Sequence, residues 1–307
     1  MTFQDDFPTG YLHPAYAASL SEFGTPRYLP LSGAWILTRR VPGTPYTDGM
    51  GLYPITCCRD WGWLREDIEG LFDLVSLVFV IDPFWGYKWK DLGFLDIKRT
   101  YKTHYYLDTE LDITPSAHHV RAAKRAGEKV DVVVISRPHD ALDDWTNLYN
   151  TLINHHGIEG ITKFSRNAFD IQLQVPGIFA IQALQDNIPC SMLLFYVQGK
   201  VAYYHLGAST PEGYEVGASH ALFQAAIKTL APKVRYISLG GGAGLEQDPT
   251  DGLTRFKRGW APLACPSYLG GAILRPAIYG ELSARIKGGS SAQRDYFPAY
   301  RTPGEDL

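Results

Sequence analysis

The stretch "IFAIQALQDNIPCSMLLFYVQGKVAYYHL" occupies residues 178–206. It holds three runs rich in aromatic and β-branched or aliphatic residues, 178–184, 190–198 and 201–206. The turn "QDNIP" separates the first two, and Gly199 with Lys200 separates the last two. Strands joined by such short connections form an antiparallel meander. After it, the segment "GASTPEGYEVGAS" (207–219) reads as a loop. "HALFQAAIKTLAPK" then sets Leu222, Phe223, Ala226, Ile227 and Leu230 on one helical stripe, with Pro232 as its stop. "VRYISLGG" (234–241) is one more strand. Before the meander, "DALDDWTNLYNTLINHHG" places Leu142, Trp145, Leu148, Tyr149 and Leu152 on a stripe, with Asp140 as the expected cap and Gly157 as the stop. The order in this half is helix, three strands, helix, strand.

The first half reads as a looser version of the same order. Residues 1–30 show little periodicity. "GAWILTRRV" (33–41) is a strand, and residues 41–54 are a loop full of chain breakers. Trp63, Leu64, Ile68, Leu71 and Phe72 are spaced for a helix over 63–75, and a β-branched strand over 75–84 stops at Pro83. A weaker strand covers 103–111. A helix over 116–129 starts at a Ser116 cap and ends at Gly127, and a strand covers 130–136. The expected class is α/β, built as two tandem domains with mixed, largely antiparallel sheets, 1–135 and 136–307.

A chain of 307 residues has room for one large or two modest domains. Its 45% apolar and 20% charged content is that of a globular protein. A net charge of −3 gives no global basic field, which argues against tight nonspecific nucleic-acid binding and leaves room for a local basic patch. Cys57, Cys58, Cys190 and Cys265 form no CxxC pair and read as reduced thiols. The acidic start "MTFQDDFPTG" lacks the features of a signal peptide. The longest apolar run, "LVSLVFVI" (74–81), is too short to span a bilayer. A cytoplasmic protein with no membrane partner is the expectation.

Cations and glycines gather near the C-terminus. "LGGGAG" (239–244) precedes "DGLTRFKRGWAP" (251–262), where Arg255, Lys257 and Arg258 surround Phe256. The glycine cluster lacks the Lys-Ser/Thr of a phosphate-binding P-loop and the G-x-G-x-x-G spacing of a dinucleotide site. Neither a nucleophile-elbow motif nor HExxH is present, and His155 and His156 suit a helix C-terminus rather than a metal.

"VAYYHLGAS", a helix, "YISLGGGAG" and "DGLTRFKRGWAP" together resemble the C-terminal half of the Fem-like aminoacyltransferases of the Gcn5-related N-acetyltransferase superfamily. The resemblance covers most of the chain, is strong from about residue 145 to 262, and is weak before residue 45. It implies two tandem acetyltransferase-like domains. It also implies an enzyme that forms an amide by moving an aminoacyl group from aminoacyl-tRNA to an amine, with no tightly bound cofactor. In bridge-forming members of the family, the lysine of an "FK" pair stabilises charge on the reacting ester carbonyl, a role that falls here on Lys257, which by its place in a cationic run alone reads as a solvated surface lysine. The arginine those members carry near the 155–156 position is absent, which points the acceptor toward a biosynthetic small molecule or a peptide rather than a nucleotide-linked precursor.

The remaining candidates are substrate-binding. Arg255 and Arg258 suit the phosphates of a tRNA 3′ end, with surface salt bridges as the alternative. Phe256 packs in the core or lines the acyl pocket. Gly241 and Gly242 present backbone N–H groups or make a tight turn. Tyr203 and His205 share one face of a strand and Tyr204 takes the other; His205 is either a proton acceptor or a core histidine. Arg121, Lys124, Arg125 and Glu128 share a helix face, whose three cations are either an RNA-backbone contact or simply solvated. The alternative donor is an acyl-CoA, against which stands the lack of an Arg/Gln-x-x-Gly-x-Gly/Ala pattern in 207–219. A third reading is a binding protein on a degenerate fold.

Overall fold

A computed structural model describes residues 8–84, 86–112, 114–242, 251–285 and 296–301. Residues 243–244 of the glycine cluster lie outside the described residues.

In chain order the elements are α1 (Pro14–Ser19), β1 (Thr25–Leu29), β2 (Ala34–Arg40), β3 (Thr47–Gly51), α2 (Leu64–Glu69), β4 (Leu74–Ile81), β5 (Ile97–Asp108), α3 (Ala117–Gly127), β6 (Asp131–Ile135), α4 (Leu142–His156), α5 (Arg166–Gln172), β7 (Ile178–Gln185), β8 (Ile188–Gln198), β9 (Val201–Ser209), α6 (Pro211–Val216), α7 (Ala218–Leu230), β10 (Tyr236–Gly240), α8 (Gly252–Trp260), β11 (Leu263–Ile273) and α9 (Pro276–Ala284). They fall into two compact units. Unit 1 is Met1–Ser19 with Lys102–Pro266, and unit 2 is Leu20–Tyr101 with Ser267–Leu307.

In unit 1 the strands run β5-β10-β9-β8-β7-β6, and every neighbouring pair is antiparallel except β9 and β10. The Ile178–Ser209 meander is its centre. Asp186 and Asn187, both at positive φ, close the first hairpin, and Gly199 at φ +54° closes the second. On one face α3 packs on α7, and Phe223, Leu222, Ala226, Ile237, Leu239 and Trp260 close over Phe195 and Ala202. On the other face α4 lies on β8 and β9, and α1 lies on α5.

In unit 2 the strands run β1-β2-β3-β4-β11, with β3 and β4 parallel and the other neighbours antiparallel. Trp61, Leu64, Ile68 and Leu71, from the turn before α2 through its end, cover Ile36, Leu77 and Phe79. The class is α/β with two units of mixed, largely antiparallel sheet, as the sequence leads one to expect.

Several local expectations need correction. The compact units differ from the halves 1–135 and 136–307, because β5 pairs with β10, β6 with β7, and α3 with α7, which draws residues 102–135 into unit 1. A strand, β1, lies within the aperiodic first 30 residues, and β3 lies within the breaker-rich 41–54. Both are five-residue strands, too short to show a period. The helix expected over 63–75 ends at Gly70, which leaves Leu71 buried and Phe72 exposed. Asp140 does not cap α4: the N-cap is Ala141, and Asp140 pairs with Arg137. The segment 207–219 is not a loop, because β9 runs to Ser209 and α6 follows, with Thr210 capping it through Gly213 N. Cys57, Cys58, Cys190 and Cys265 are all free thiols.

Candidate active site

The parallel pair β9–β10 makes a fork. Its pairing covers only Val201–Tyr203 against Tyr236–Ser238. Beyond that, β9 continues to Ser209 bonded to β8, while β10 shifts register and reaches Gly240 bonded to Tyr105 of β5. The glycines follow at this point. Gly240 sits at φ +69°, a conformation that side chains disfavour. A Cβ on Gly242 would come within 2.2 Å of Thr254 Oγ1, so the turn is held tightly against the start of α8.

Asp251 caps α8 by accepting from Thr254 N at 2.8 Å. Thr254, Lys257 and Trp260, three residues apart, form the helix's buried side, while Arg255 and Arg258 are exposed. This spacing inserts Lys257 into the fork with only 6% of its surface accessible. Its Nζ donates to Gly241 O at 2.5 Å and lies 5.5 Å from the centre of the Tyr204 ring. An ammonium has three donors; among the described residues Nζ makes this single hydrogen bond, which leaves two for a ligand. Burial, reinforced by the nearby charge of Lys102 and opposed by Asp251, lowers the Lys257 ammonium from its ordinary value to about 7.

Two more groups from β5 complete the cluster. Lys102 Nζ donates to Gly242 O at 3.3 Å, and burial lowers its pKa as well. His104 is buried and is pushed down to about 3 by burial and then by the charges of Lys257 and Lys102, so it is neutral. Consecutive glycine carbonyls are thus each held by an ammonium, with a neutral imidazole alongside. Neither residue stands out in the sequence, where the expected strand starts at 103. The readable signal was the two-residue step from Lys102 to His104, which places both on one strand face.

The other candidates separate by face. Tyr204 turns toward α7, its ring 5.1 Å from that of Phe223 and 5.4 Å from that of Phe195. Phe256 packs among Phe223, His220 and His119, with ring centroids 4.9–5.5 Å away. Tyr203 and His205 face the opposite side, in a buried group with Tyr11, Tyr16 and Tyr196. His205 Nδ1 lies 3.2 Å from Tyr11 Oη and Nε2 lies 3.4 Å from Gln172 Oε1. Burial pushes His205 down to about 3, so in this setting it is a neutral core residue and a weak base. Lys257, Gly241, Gly242 and Tyr204 therefore come together, Phe256 lies behind them, Arg255 and Arg258 flank them on the surface, and Tyr203 and His205 stand apart. Among the described residues no group of three or more His, Cys, Asp or Glu is placed to hold a metal, and no helix is long and apolar enough to cross a membrane.

No protein-family model matches the sequence, and no curated protein matches it. Solved structures do share its fold. A crystal structure of FemX superposes with a TM-score of 0.63 at 14% identity, covering 90% of this chain and 95% of that one. The C-terminal domain of a protein described as a lysylphosphatidylglycerol synthetase, from Agrobacterium fabrum, gives 0.60 at 16% identity, covering 90% and 94%. L-PGS from Bacillus licheniformis gives 0.57 at 13% identity, covering 92% and 99%. At such identities the likeness establishes the fold.

Proposed function

We propose that this chain is an aminoacyltransferase that moves an aminoacyl group from aminoacyl-tRNA to an amine acceptor, with Lys257 as its catalytic residue. The observation that carries this reading is the buried ammonium of Lys257, held in the fork with two donors to spare. In the reaction the acceptor nitrogen attacks the ester carbonyl carbon and a C–N bond forms. Negative charge gathers on the carbonyl oxygen until the C–O bond to the terminal ribose breaks. The proton lost by the nitrogen ends on the ribose oxygen, directly or through water. A fixed cation beside the carbonyl oxygen, in a place poor in water, lowers such a barrier by about 3 kcal/mol. Lys257 is oriented before the reaction by Gly241 O, so little reorganisation is needed. Lys102 engages the neighbouring Gly242 carbonyl, which is thereby not a competing acceptor for the Lys257 ammonium. Tyr204 supplies an aromatic wall for the acyl group, with Phe256 packed behind the cluster. The fold shared with FemX and with a protein named for making lysylphosphatidylglycerol supports aminoacyl transfer over other chemistries of this architecture.

The acceptor in this reading is a biosynthetic small molecule or a peptide amine, since no arginine stands at residues 155–156 to hold a nucleotide-linked precursor. The reaction then takes place in the cytoplasm, with no membrane partner. The test offers the protein pooled aminoacyl-tRNAs or acetyl-CoA together with a mixed amine pool and follows each donor by mass spectrometry. Consumption of one aminoacyl-tRNA that stops with Lys257→Ala is the expected result. Consumption of acetyl-CoA instead makes the chain an acyl-CoA-dependent N-acyltransferase, and loss of neither donor leaves a binding protein.

A further inference from the structure

A second feature of unit 1 lies outside the fork. Arg121, Lys124 and Arg125 project from α3 into solvent, and Arg255 and Arg258 project from α8. The two helices are joined: Ser116 N, at the α3 cap, donates to Gly259 O at 2.8 Å, and the His119 ring packs 5.5 Å from Phe256 and 5.4 Å from Trp260. A Cβ on Gly259 would overlap the His119 ring, which shows how closely the helices approach. Arg125 bears electrostatically on His220, whose ring lies 4.9 Å from that of Phe256, so the cations of α3 and α8 flank one joint.

Among the described residues none of these five cations forms an ion pair. Three exposed arginines elsewhere are paired, Arg65 with Glu69, Arg137 with Asp140 and Arg166 with Asp143, while Arg40, Arg59 and Arg285 make no ion pair among the described residues. In a chain of net charge −3, five unneutralised cations on two packed helices form a local field opposite in sign to the whole. One of those helices carries Lys257 on its reverse side. A ligand lying along this surface therefore meets the helix that presents the catalytic ammonium. Guanidinium forks at Arg121, Arg125, Arg255 and Arg258 suit phosphodiester oxygens and carry no information about base sequence.

We infer that the outer face of α3 and α8 is the docking surface for the phosphate backbone of the donor tRNA, with Arg121, Lys124, Arg125, Arg255 and Arg258 as its contacts. This rests on the aminoacyl-tRNA reading of the fork. It adds where the body of the donor lies and why a protein of acidic balance holds RNA at all.

The experiment measures binding of deacylated bulk tRNA by fluorescence anisotropy across a salt series. It compares the intact chain with Arg121→Gln/Lys124→Gln/Arg125→Gln and, separately, with Arg255→Gln/Arg258→Gln. Melting temperature serves as the fold control, since all five side chains are exposed. The expected result is weaker binding in both variants, by roughly tenfold for the triple variant, with the slope of log affinity against log salt reduced by about one per cation removed. Unchanged affinity and slope in both variants, with the intact chain still binding tRNA, overturns the docking surface and leaves the aminoacyl-transfer reading in place. Binding that both variants weaken, in a protein that consumes no aminoacyl-tRNA, keeps the surface and removes the transfer reading. Absence of tRNA binding by the intact chain overturns the surface. So does a preference for vesicles with anionic headgroups over tRNA, which would reassign it to a membrane.

Discussion

Units 1 and 2 share one strand plan and use it in opposite ways. Each has three antiparallel strands, a helical crossover, a parallel strand and an antiparallel neighbour beyond it. In unit 2 the place beside β4 past the end of β3 is filled by backbone: Thr56 N donates to Val80 O at 2.7 Å, and Asp82 N donates to Thr56 O at 3.2 Å. A Cβ on Gly51 would collide with Thr56 Oγ1, so Thr56 is packed tightly against β3. In unit 1 the equivalent parting of β9 and β10 is met by the side chains of Lys257 and Lys102, which bind the carbonyls of Gly241 and Gly242. Backbone bonds close a sheet permanently. An ammonium with donors to spare leaves a place that a substrate oxygen can take.

The units also differ in their buried charges. All nine histidines of the chain belong to unit 1. Unit 2 is instead centred on Asp48, fully buried, which accepts from Arg301, from Arg39 Nε at 3.2 Å and from Tyr300 Oη at 3.3 Å. This cluster fastens residues 296–301 to β3. The lysine of unit 1 is buried beside a like charge, which is costly, and the carboxylate of unit 2 is buried between two opposite charges, which holds structure together.

The largest effect should come from Lys257→Met, which keeps the volume and removes the charge. Transfer activity is expected to fall 10²–10³-fold, while thermal stability at pH 6 rises. The folded-state pKa of about 7 lies below the ordinary 10.5, so the unfolded chain binds more protons between those values. Stability of the intact protein therefore increases with pH across that window, and the full penalty, several kcal/mol at most, applies below it. A variant that is both inactive and less stable at pH 6 would break the contrast between the units.

Asp48→Ala is expected to cost about 3 kcal/mol, because it leaves Arg301 and Arg39 half-buried without their partner. Chemical denaturation measures this, and a loss near zero would deny unit 2 its electrostatic centre.

A subtler effect concerns pH. In the proposed reaction Lys257 acts as a cation, so activity with an acceptor of low pKa should decline as pH rises through about 7. Lys102→Met removes the like charge that helps lower Lys257, which moves the decline to higher pH, and Lys257→Arg removes the decline altogether. A pH–rate profile unmoved by Lys102→Met would separate the two lysines.

The remaining effect is acid sensitivity. His104 and His205 sit at about 3 and His220 at about 4, all lowered first by burial. Each is neutral when folded and protonated when unfolded from pH 6.5 down toward those values, so unit 1 loses stability as pH falls through that range. Amide exchange at pH 5 should show unit 1 opening before unit 2, and the reverse order would contradict the assignment.

Much of this was legible in the sequence. The three strands of the meander as far as residue 206, the helices at 117–127 and 142–156, the helix α7 from residue 220, and the stops at Gly157 and Gly127 followed from patterns within a dozen residues. β1 and β3 escaped notice because five residues carry too little periodicity. Lys257, Gly241 and Gly242 stood out as a cluster through their proximity in the chain. Lys102 and His104 did not, because they reach that cluster only through the pairing of β5 with β10.

By itself, the sequence determined the longer strands and helices between residues 116 and 240 and that a cationic run follows a glycine turn, because periodicity, chain breakers and charge act locally. Only the tertiary structure decided that Lys257 is the buried cation of its run while Arg255 and Arg258 are exposed, that His205 belongs to a core rather than to the fork, and that residues 102–135 belong to unit 1. Those outcomes depend on nonlocal strand pairing and on which helix face meets a sheet, and both are settled by the packing of residues distant in the chain.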